Sequence, residues 1–376
     1  MDGDFRALFG ICRRTRPEVA FHLHTDCEST WGARTLGAFT LLMTPRERYL
    51  TVLRGGRPDI VPRVPILMQF AAEYIGSNYG AFASDHRVLV EANLRCAEDF
   101  GFDQVSTISD PYRETAGFGG AVEFVPNGVP ICHKPPLEDD PDLARLPRPD
   151  PMHAPRMRDR IDAVRLYRER RGERYSVLGW VEGPAAEAAD VRGVSNFLMD
   201  LIDDPAYAQA LMERCVENAI AFGQAQAAAG ADTIGIGDAV ASQVSPAIYE
   251  TLILPLEHRL IDALHAAGVY VRLHICGNIT HLLPGIATLG VDVLDVDHLV
   301  DLAVVRKAVG PRVVLAGNVD PVSCVMRSSP AAVQAAVARC HAAAGPRFLV
   351  NAGCEIPAAT PPAHLRALCT PIVPVG

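Results

Sequence analysis

Short apolar runs of strand length recur along this chain and alternate with longer stretches that have helical spacing. Most of these runs are continuously apolar. A parallel strand covered on both faces has this character, whereas a strand with one wet face alternates between apolar and polar residues. The eight runs occupy residues 64–70, 103–110, 175–183, 232–238, 269–276, 291–297, 312–320 and 347–354.

The stretches between the runs carry the signals that begin and end helices. Ser245 and Pro246 open one stretch that ends at Gly268, and Ser329 opens another that stops at Gly345. Serine caps a helix, proline fits its first turn, and glycine ends it. Eight strands that alternate with helices predict an α/β fold of the (β/α)8 type, the TIM barrel.

The beginning of the chain departs from this alternation. Residues 1–42 have no clear period, and a helix start follows them, with Thr44 as the cap and Pro45 in the first turn. We predict that translation begins at Met43 or that residues 1–42 are a poorly ordered extension. Residues 43–376 are then expected to form a single barrel domain.

A second departure lies at residues 111–174, which are rich in glycine and proline. They predict a long inserted segment after the second strand, with a hairpin around the motif FVPNGVPI over the barrel mouth.

Composition excludes several classes of partner. The 376 residues have a formal net charge of −9, and the densest basic stretch, RLYRERRGER, mixes signs, so nucleic acid is disfavoured. No apolar run approaches the roughly 20 residues of a membrane helix, and no signal-peptide layout opens the chain. We expect a cytoplasmic protein with no membrane partner. Most of its ten cysteines should be free thiols, and any special ones metal-binding or reactive.

Polar side chains stand where the apolar runs end. Barrel enzymes build their active sites from the carboxyl ends of the strands, whereas a purely structural barrel needs no such ring. The sequence therefore predicts a functional site at this end of the fold. The polar residues are Gln69, Asp110, Glu182, Asp238, His274, Cys276, Asp297, Asn318, Cys354 and Glu355.

Three of these residues are candidate metal ligands. His274 and Cys276 are two apart on one strand, so both side chains face the same side, and Cys354 follows the last strand. An H-x-C pair alone is more often a buried histidine beside a structural cysteine; the placement of a third ligand at the same rim favours a metal. One imidazole and two thiolates suit a catalytic Zn²⁺ site, with Asp297, Glu182 or water in the fourth position.

The other polar residues have two interpretations each. Glu182 and Asp238 either point into the mouth or cap the following helix. Asn318 is a turn residue first and a ligand contact second, and Glu355 either orients a ligand of the metal or is solvated.

Several motifs together resemble a known family. They are similar to the uroporphyrinogen decarboxylase superfamily, and within it to the corrinoid-dependent branch that includes the methylcobamide:coenzyme M methyltransferases. The resemblance covers roughly residues 43–368. The motifs are GWVEGP, AGADTIGIGDA, YVRLHICGN, VDVLDVDHLVDL, VVLAGNVDP and NAGCEIPAATPPAHLRAL.

The resemblance implies a (β/α)8 barrel and a set of roles. The methyltransferases of this family hold zinc through an H-x-C pair and a distant cysteine, which match His274, Cys276 and Cys354. The cobalamin-independent methionine synthases add a glutamate that would fall near Asp297, so the resemblance favours Asp297 over Glu182 as a fourth ligand. It also implies a corrinoid protein as partner.

Two motifs of the true decarboxylases are missing. Their arginine-bearing stretch after the first strand is here ILMQFAAEYIG, and their glycine–histidine–glycine motif on the last strand is here GCE. Without those arginines the carboxylates of a porphyrinogen have no obvious partners, so this reaction is disfavoured.

Together with the ligand pattern, the resemblance implies a zinc-dependent enzyme that moves a methyl group between a protein-bound methylcobamide and a thiol such as coenzyme M, or tetrahydrofolate, in either direction. Glu182, Asp238 and Asn318 would orient the acceptor or the corrinoid. The alternatives are a decarboxylase of a smaller acid and a non-catalytic corrinoid- or metal-binding module.

Overall fold

The computed structural model describes residues 35–36, 39–40 and 43–374. The chain divides into two units, Met1–Thr40 and Leu41–Gly376. The first contains a short antiparallel pair, β1 (Thr35–Leu36) and β2 (Phe39–Thr40). Apart from this pair, the prediction for residues 1–42 lies outside the described residues.

The second unit contains the alternating strands and helices. Within the described residues, no helix combines the length and the apolar character that a membrane crossing requires. The longer segments are α1 (Pro45–Leu53), α2 (Gln69–Tyr74), α3 (Tyr79–Ser84), α4 (His86–Phe100), β3 (Gln104–Ser106), α5 (Arg113–Gly117), β4 (Val122–Glu123), β5 (Ile131–Cys132), α6 (Pro155–Arg171), β6 (Ser176–Glu182), α7 (Pro184–Arg192), α8 (Val194–Asp203), α9 (Pro205–Ala228), β7 (Thr233–Gly237), α10 (Pro246–Ile248), α11 (Leu254–Ala266), β8 (Tyr270–Ile275), α12 (Leu283–Ile286), β9 (Val293–Val296), α13 (Leu302–Val309), β10 (Val314–Val319), α14 (Pro330–Ala344), β11 (Phe348–Ala352) and α15 (Pro362–Leu368). Short 3-10 turns occupy Leu143–Arg145 and Ala239–Gln243, and π-helical turns occupy Tyr249–Ile253 and Pro321–Met326.

Seven strands form one curved parallel sheet in the order β11-β10-β9-β8-β7-β6-β3. All six pairings are parallel, and β6, β7 and β11 are buried along their whole length. Because both faces of these strands are buried, their sequences are almost continuously apolar. The fold is therefore α/β and TIM-barrel-like, as the alternation predicts.

The strand predicted at residues 64–70 is wrong. Arg63 makes a single parallel bridge to Val350, and its carbonyl accepts a hydrogen bond from the N–H of Asp103, just before β3. Pro62 and Pro65 have no N–H to donate, so a regular ladder cannot form here. The segment thus contacts both ends of the sheet without being a strand, and Gln69 begins α2 instead of ending a strand.

The glycine- and proline-rich stretch is partly ordered into regular structure. The predicted hairpin is present as β4 and β5, with Val122 opposite Cys132. The irregular part is shorter than the predicted 111–174, because Pro155 begins the 17-residue helix α6. Proline fits the first turn of a helix, and α6 packs against α4 and α9 as a regular member of the helical layer.

Two glycines of β7 make room for a large side chain of β6. A Cβ atom at Gly235 would lie 2.2 Å from Cε3 of Trp180, and one at Gly237 would lie 2.7 Å from its Cζ2. The indole of Trp180 therefore lies across β7 because that strand offers no side chains at these two positions.

We expect Gly235→Ala to lower the free energy of unfolding by about 3 kcal/mol, since overpacking a rigid core forces side chains and backbone to move. The midpoint of urea denaturation measures this. Gly128→Ala is the matched control, because a Cβ there would meet only a side-chain atom of Val125 at 3.1 Å. Equal midpoints for the two variants would contradict the packing argument.

Candidate metal centre

Three soft ligand atoms meet at the carboxyl ends of two distant strands. His274 belongs to β8, Cys276 follows its last residue, and Cys354 follows β11. The ligand atoms of these three residues all lie within 4.8 Å of one another, and Nε2 of His274 is 3.2 Å from Sγ of Cys276. The structure thus brings together the three residues that the sequence proposed as metal ligands.

The local backbone places Cys276 at the rim. Gly277 has φ of 92°, a left-handed conformation that glycine adopts without strain, so the chain turns immediately after the cysteine. The N–H of Gly277 donates to Oδ2 of Asp297 at 2.9 Å. This hydrogen bond fixes the turn that carries the thiol.

A hydrogen bond from Nδ1 to the backbone of the neighbouring strand β9 orients the ring of His274. Its Nδ1 lies 3.2 Å from the carbonyl oxygen of Asp295, which accepts the Nδ1–H and leaves Nε2 directed at the thiols. Asp295 is itself held by Arg272, whose Nη2 is 2.7 Å from Oδ2, and by Nδ2 of Asn351 at 3.0 Å. Such support for the second nitrogen is the usual arrangement of a metal-binding histidine.

The three ligands also interact strongly as free side chains. A hydrogen bond from Cys276 and others from His274 lower the pKa of Cys354 to about 4, although burial opposes this. Burial lowers the pKa of His274, but the hydrogen bond to Cys354 and the charge of Asp295 outweigh it and raise the pKa to about 9. The pair therefore resembles a thiolate beside an imidazolium, and a cation can replace the proton.

The donor set fits zinc. Zn–S bonds of about 2.3 Å and Zn–N bonds of about 2.0 Å in a tetrahedron require donors roughly 3.5 Å apart, close to the separation of Nε2 and Sγ given above. One imidazole and two thiolates select a thiophilic cation. Three protein ligands leave one position open, which is the arrangement of catalytic sites.

Asp297, predicted as the fourth ligand, does not join the cluster. Its oxygens accept hydrogen bonds from the N–H groups of Gly277 and Leu299, each at 2.9 Å. Nδ1 of His298 lies 3.0 Å from the same carboxylate. Asp297 therefore connects the turn at Gly277 with the loop at Leu299. It is not part of the cluster of three ligand atoms.

Of the two interpretations of Asp238, the structure shows the helix cap. Asp238 is 0% exposed, and its carboxylate accepts the N–H groups of Ala186 at 2.7 Å and Ala185 at 3.4 Å, at the start of α7. The capping alternative describes this residue, because the free N–H groups of a helix start attract a carboxylate.

Asn318 and Glu182 have different surroundings. Nδ2 of Asn318 donates to the carbonyl oxygens of Asp297 at 3.0 Å and Val300 at 2.6 Å, so it braces the loop after β9. Glu182, at the end of β6, accepts a hydrogen bond of 3.0 Å from Nε1 of Trp180. Only Glu182 of the three predicted orienting residues keeps a carboxylate oxygen available to a ligand.

Sequence reasoning missed the buried pair Arg272–Asp295 and the partner Glu114 of Glu182. A signal for the first was present, because Arg272, His274 and Cys276 alternate on one strand and therefore share a face. Glu114 lies in the irregular segment after β3, where no period exists to place it.

The pKa of Asp238 predicts a pH dependence of stability. Burial raises this pKa to about 7, although the two N–H groups of α7 oppose it. A carboxyl with a raised pKa in the folded state contributes fully below its unfolded pKa of about 4, and the contribution is lost as the pH rises to 7. We expect the free energy of unfolding to fall between pH 5 and pH 8, and Asp238→Asn to reduce that fall by on the order of 2 kcal/mol.

Urea denaturation at several pH values measures this. Asp139→Asn is the control, because that carboxylate is exposed and paired with Lys134. The assignment fails if Asp238→Asn leaves the pH profile as steep as it is in the wild type.

A TIM-barrel-like fold with a polar cluster at the carboxyl ends of its strands is the arrangement found in barrel enzymes. The chain belongs to the uroporphyrinogen decarboxylase (URO-D) family, whose model matches residues 44–372. The methylcobamide:CoM methyltransferase MtbA of Methanosarcina mazei is 28% identical over 333 residues, which cover 86% of this chain and 96% of that protein.

A further relative and a solved structure are also similar to this chain. A uroporphyrinogen decarboxylase of Pelobacter propionicus is 30% identical over 286 residues, 71% of this chain and 80% of that protein. The solved structure of a methyltransferase from Methanosarcina mazei superimposes with a TM-score of 0.80 at 23% identity, and covers 87% of this chain and 97% of that one. At that identity the superposition shows the shared fold.

Proposed function

We propose that this protein is a zinc-dependent methyltransferase that moves a methyl group between a protein-bound methylcobamide and a thiol. The observation that carries the proposal is the convergence of His274, Cys276 and Cys354 within 4.8 Å at the carboxyl ends of the strands. Relatives named as methylcobamide:CoM methyltransferases support it, and coenzyme M enters the proposal through them. Tetrahydrofolate is the alternative acceptor.

We infer that the fold is a (β/α)8 barrel whose first strand is reduced to the segment around Arg63, in a single domain from Met43 onward. The hydrogen bonds of that segment to Val350 and Asp103 support this. The glycine- and proline-rich segment after β3 then lies on the side of the barrel that carries the metal centre, because it follows the carboxyl end of that strand.

His274, Cys276 and Cys354 would hold the zinc, which supplies positive charge that lowers the pKa of a substrate thiol. The backbone carbonyl of Asp295 keeps the imidazole turned toward the thiolates, and Asp297 fixes the turn that carries Cys276. These contacts hold the site rigid while the corrinoid protein presents its methyl group at the same end of the barrel. The sulfur of the acceptor forms a bond to the methyl carbon as the cobalt–carbon bond breaks, the electron pair of that bond stays on the corrinoid cobalt, which changes from Co(III) to Co(I), and the thiol proton leaves to a base or to water.

Purified wild-type protein tests the proposal. Bound zinc is measured by plasma mass spectrometry, and transfer is followed from methylcobalamin through the loss of its methyl–cobalt absorbance and the mass of the S-methyl product. We expect close to one zinc per chain and transfer that requires both zinc and thiol. Metal-free protein, or zinc-loaded protein that methylates neither thiols nor tetrahydrofolate, would refute it.

The uroporphyrinogen decarboxylase of Pelobacter propionicus keeps decarboxylation as a second candidate. Metal-free wild type that releases CO2 from a carboxylated substrate would favour it. Stoichiometric zinc without any turnover would favour the third candidate, a non-catalytic module that binds corrinoid or metal.

A further inference from the structure

The carboxylate of Glu182 lies at the same level of the sheet as the imidazole of His274. Glu182 pairs in register with Gly237 of β7, and Gly237 pairs with His274 of β8. Register partners on parallel strands point to the same face, and neighbouring strands are about 4.8 Å apart. Glu182 and His274 therefore face one space across a residue that has no side chain.

One oxygen of Glu182 is directed into that space. Oε1 is occupied by the indole N–H of Trp180 at 3.0 Å. Oε2 would lie 3.1 Å from a Cβ atom at Gly237, and it has no hydrogen-bond partner among the described residues. Glu182 is only 7% exposed. A nearly buried carboxyl oxygen without a partner, leaning over Gly237, points to a ligand that contacts it.

Two other buried glutamates lie beside it. Oε1 of Glu114 accepts the N–H of Glu182 at 3.0 Å, and Oε1 of Glu187 accepts the hydroxyl of Thr115 at 2.9 Å. Their second oxygens are buried without a hydrogen-bond partner in the part of the chain that the structure describes. Burial, and next the charge of Glu114, raise the pKa of Glu182 and of Glu187 well above the usual range.

Two basic side chains nearby are paired with carboxylates outside this group of glutamates. Arg156 lies 2.8 Å from Asp110, and Arg113 lies 2.8 Å from Asp159. Among the described residues, one ion pair involves these glutamates, and in it Nη1 of Arg160 lies 4.0 Å from Oε2 of Glu114. The described segments that follow β3, β6 and β7 are residues 107–160, 183–204 and 238–250. Every arginine, lysine and histidine in these segments has an acidic partner within 4.0 Å.

We propose that this group of glutamates binds a cationic ligand, a protonated amine or a quaternary ammonium, beside the metal centre. The inference rests on the proposed methyl transfer and narrows its acceptor to a thiol that carries an ammonium group in place of a sulfonate. The indole of Trp180 lies beside Glu182, to which it donates a hydrogen bond, and a tryptophan face also attracts cations.

The excess of buried carboxyl groups is the physical reason to expect a cationic ligand at this site. Buried carboxylates must be neutralised, either by protons or by a cation, because an isolated buried charge is very unfavourable. An ammonium group replaces those protons and gives the unused oxygens of Glu114, Glu182 and Glu187 a partner. A sulfonate cannot replace those protons, and it repels any of these carboxyl groups that is ionised, which costs several kcal/mol at an interface without water.

Three thiols with the same HS–CH2–CH2– core test the charge preference: 2-aminoethanethiol, 2-mercaptoethanol and 2-mercaptoethanesulfonate. Zinc-loaded full-length protein is assayed with each and methylcobalamin, and kcat/KM is corrected for the rate of each thiol with free zinc. We expect the amine to exceed the sulfonate at least about tenfold. Equal rates, or a preference for the sulfonate, would overturn the inference.

Variants assign the preference to the glutamates. Glu187→Gln keeps the shape of the side chain and removes its charge, so the ratio of amine to sulfonate should fall severalfold while bound zinc stays at the wild-type level. Asp190 lies on the next turn of α7, and its charge raises the pKa of Glu187, so Asp190→Asn is a second variant of the same acidic group should the first fold poorly. Asp139→Asn is the control, because that carboxylate is exposed and should leave the ratio unchanged. An unchanged ratio in both test variants counts against the glutamates.

A binding measurement separates this inference from the proposed function. Calorimetry with the S-methyl thioethers of the three thiols reports the charge preference without any methyl transfer. If no thiol is methylated but the amine thioether binds at least about tenfold more tightly than the sulfonate, methyl transfer fails and the cation site stands. If thiols are methylated but binding shows no charge preference, the cation site fails alone. Absence of any thioether binding at millimolar concentration also refutes the cation site.

Discussion

Cys354→Ala protein is expected to purify with less than about a tenth of the wild-type zinc, and to transfer methyl groups from methylcobalamin at least about 100-fold more slowly. The reason is that a site with three protein ligands has no replacement for the lost thiolate, and ligand loss costs at least as much as the 10- to 100-fold seen when only a supporting residue is removed. Plasma mass spectrometry and the cobalt absorbance measure the two quantities.

Cys324→Ala controls for the general effect of removing a half-buried cysteine, because its sulfur lies outside the cluster of ligand atoms. Its zinc content should equal that of the wild type. Full retention of zinc and activity in Cys354→Ala would end the assignment of this residue as a ligand. Loss of both in Cys324→Ala would show that the assay reports folding instead of coordination.

Arg272→Met is expected to lower the free energy of unfolding by about 3–5 kcal/mol, because it leaves the carboxylate of Asp295 buried without its cation. Arg272 and Asp295 are both fully buried, and the guanidinium also donates to Gln104 at 3.1 Å. Methionine keeps much of the volume of the arginine stem, so the loss reports the charge and its hydrogen bonds more than a cavity. Thermal denaturation should show Tm lowered by about 10 °C.

The exposed pair Arg87–Asp85 supplies the comparison, since an ion pair in water contributes only about 0–1 kcal/mol. Arg87→Met should therefore shift Tm by no more than about 2 °C. If the two arginine variants shifted Tm equally, the layer beneath His274 would not be a buried ion pair of the strength described.

The sequence predicts the elements that obey a period. Strands β6, β7 and β8 lie within the predicted runs because each is buried on both faces and is therefore largely apolar. The same regularity places His274 and Cys276 on one face and brings Cys354 to the same rim. Positions at the ends of parallel strands can be inferred without coordinates because all such ends meet at one edge of the sheet.

The failures occur where a local chemical detail outweighs the pattern. The run at 64–70 is apolar enough for a strand, but Pro62 and Pro65 remove the N–H groups that a ladder needs. Asp238 ends its run as a site residue does, yet the start of α7 lies close enough to take its carboxylate. Glu114 belongs to an irregular segment, so only tertiary packing brings it to Glu182.

The position of Cys354 after the last strand of the sheet has a consequence for biosynthesis. A growing chain displays His274 and Cys276 long before the third ligand leaves the ribosome, and two donors retain zinc far more weakly than three. If the site holds zinc as proposed, tight binding of the metal therefore requires that β11 has paired with β10. In the proposed site, zinc would then be retained by chains that have completed β11. Chains that end before this strand would leave the ribosome without zinc.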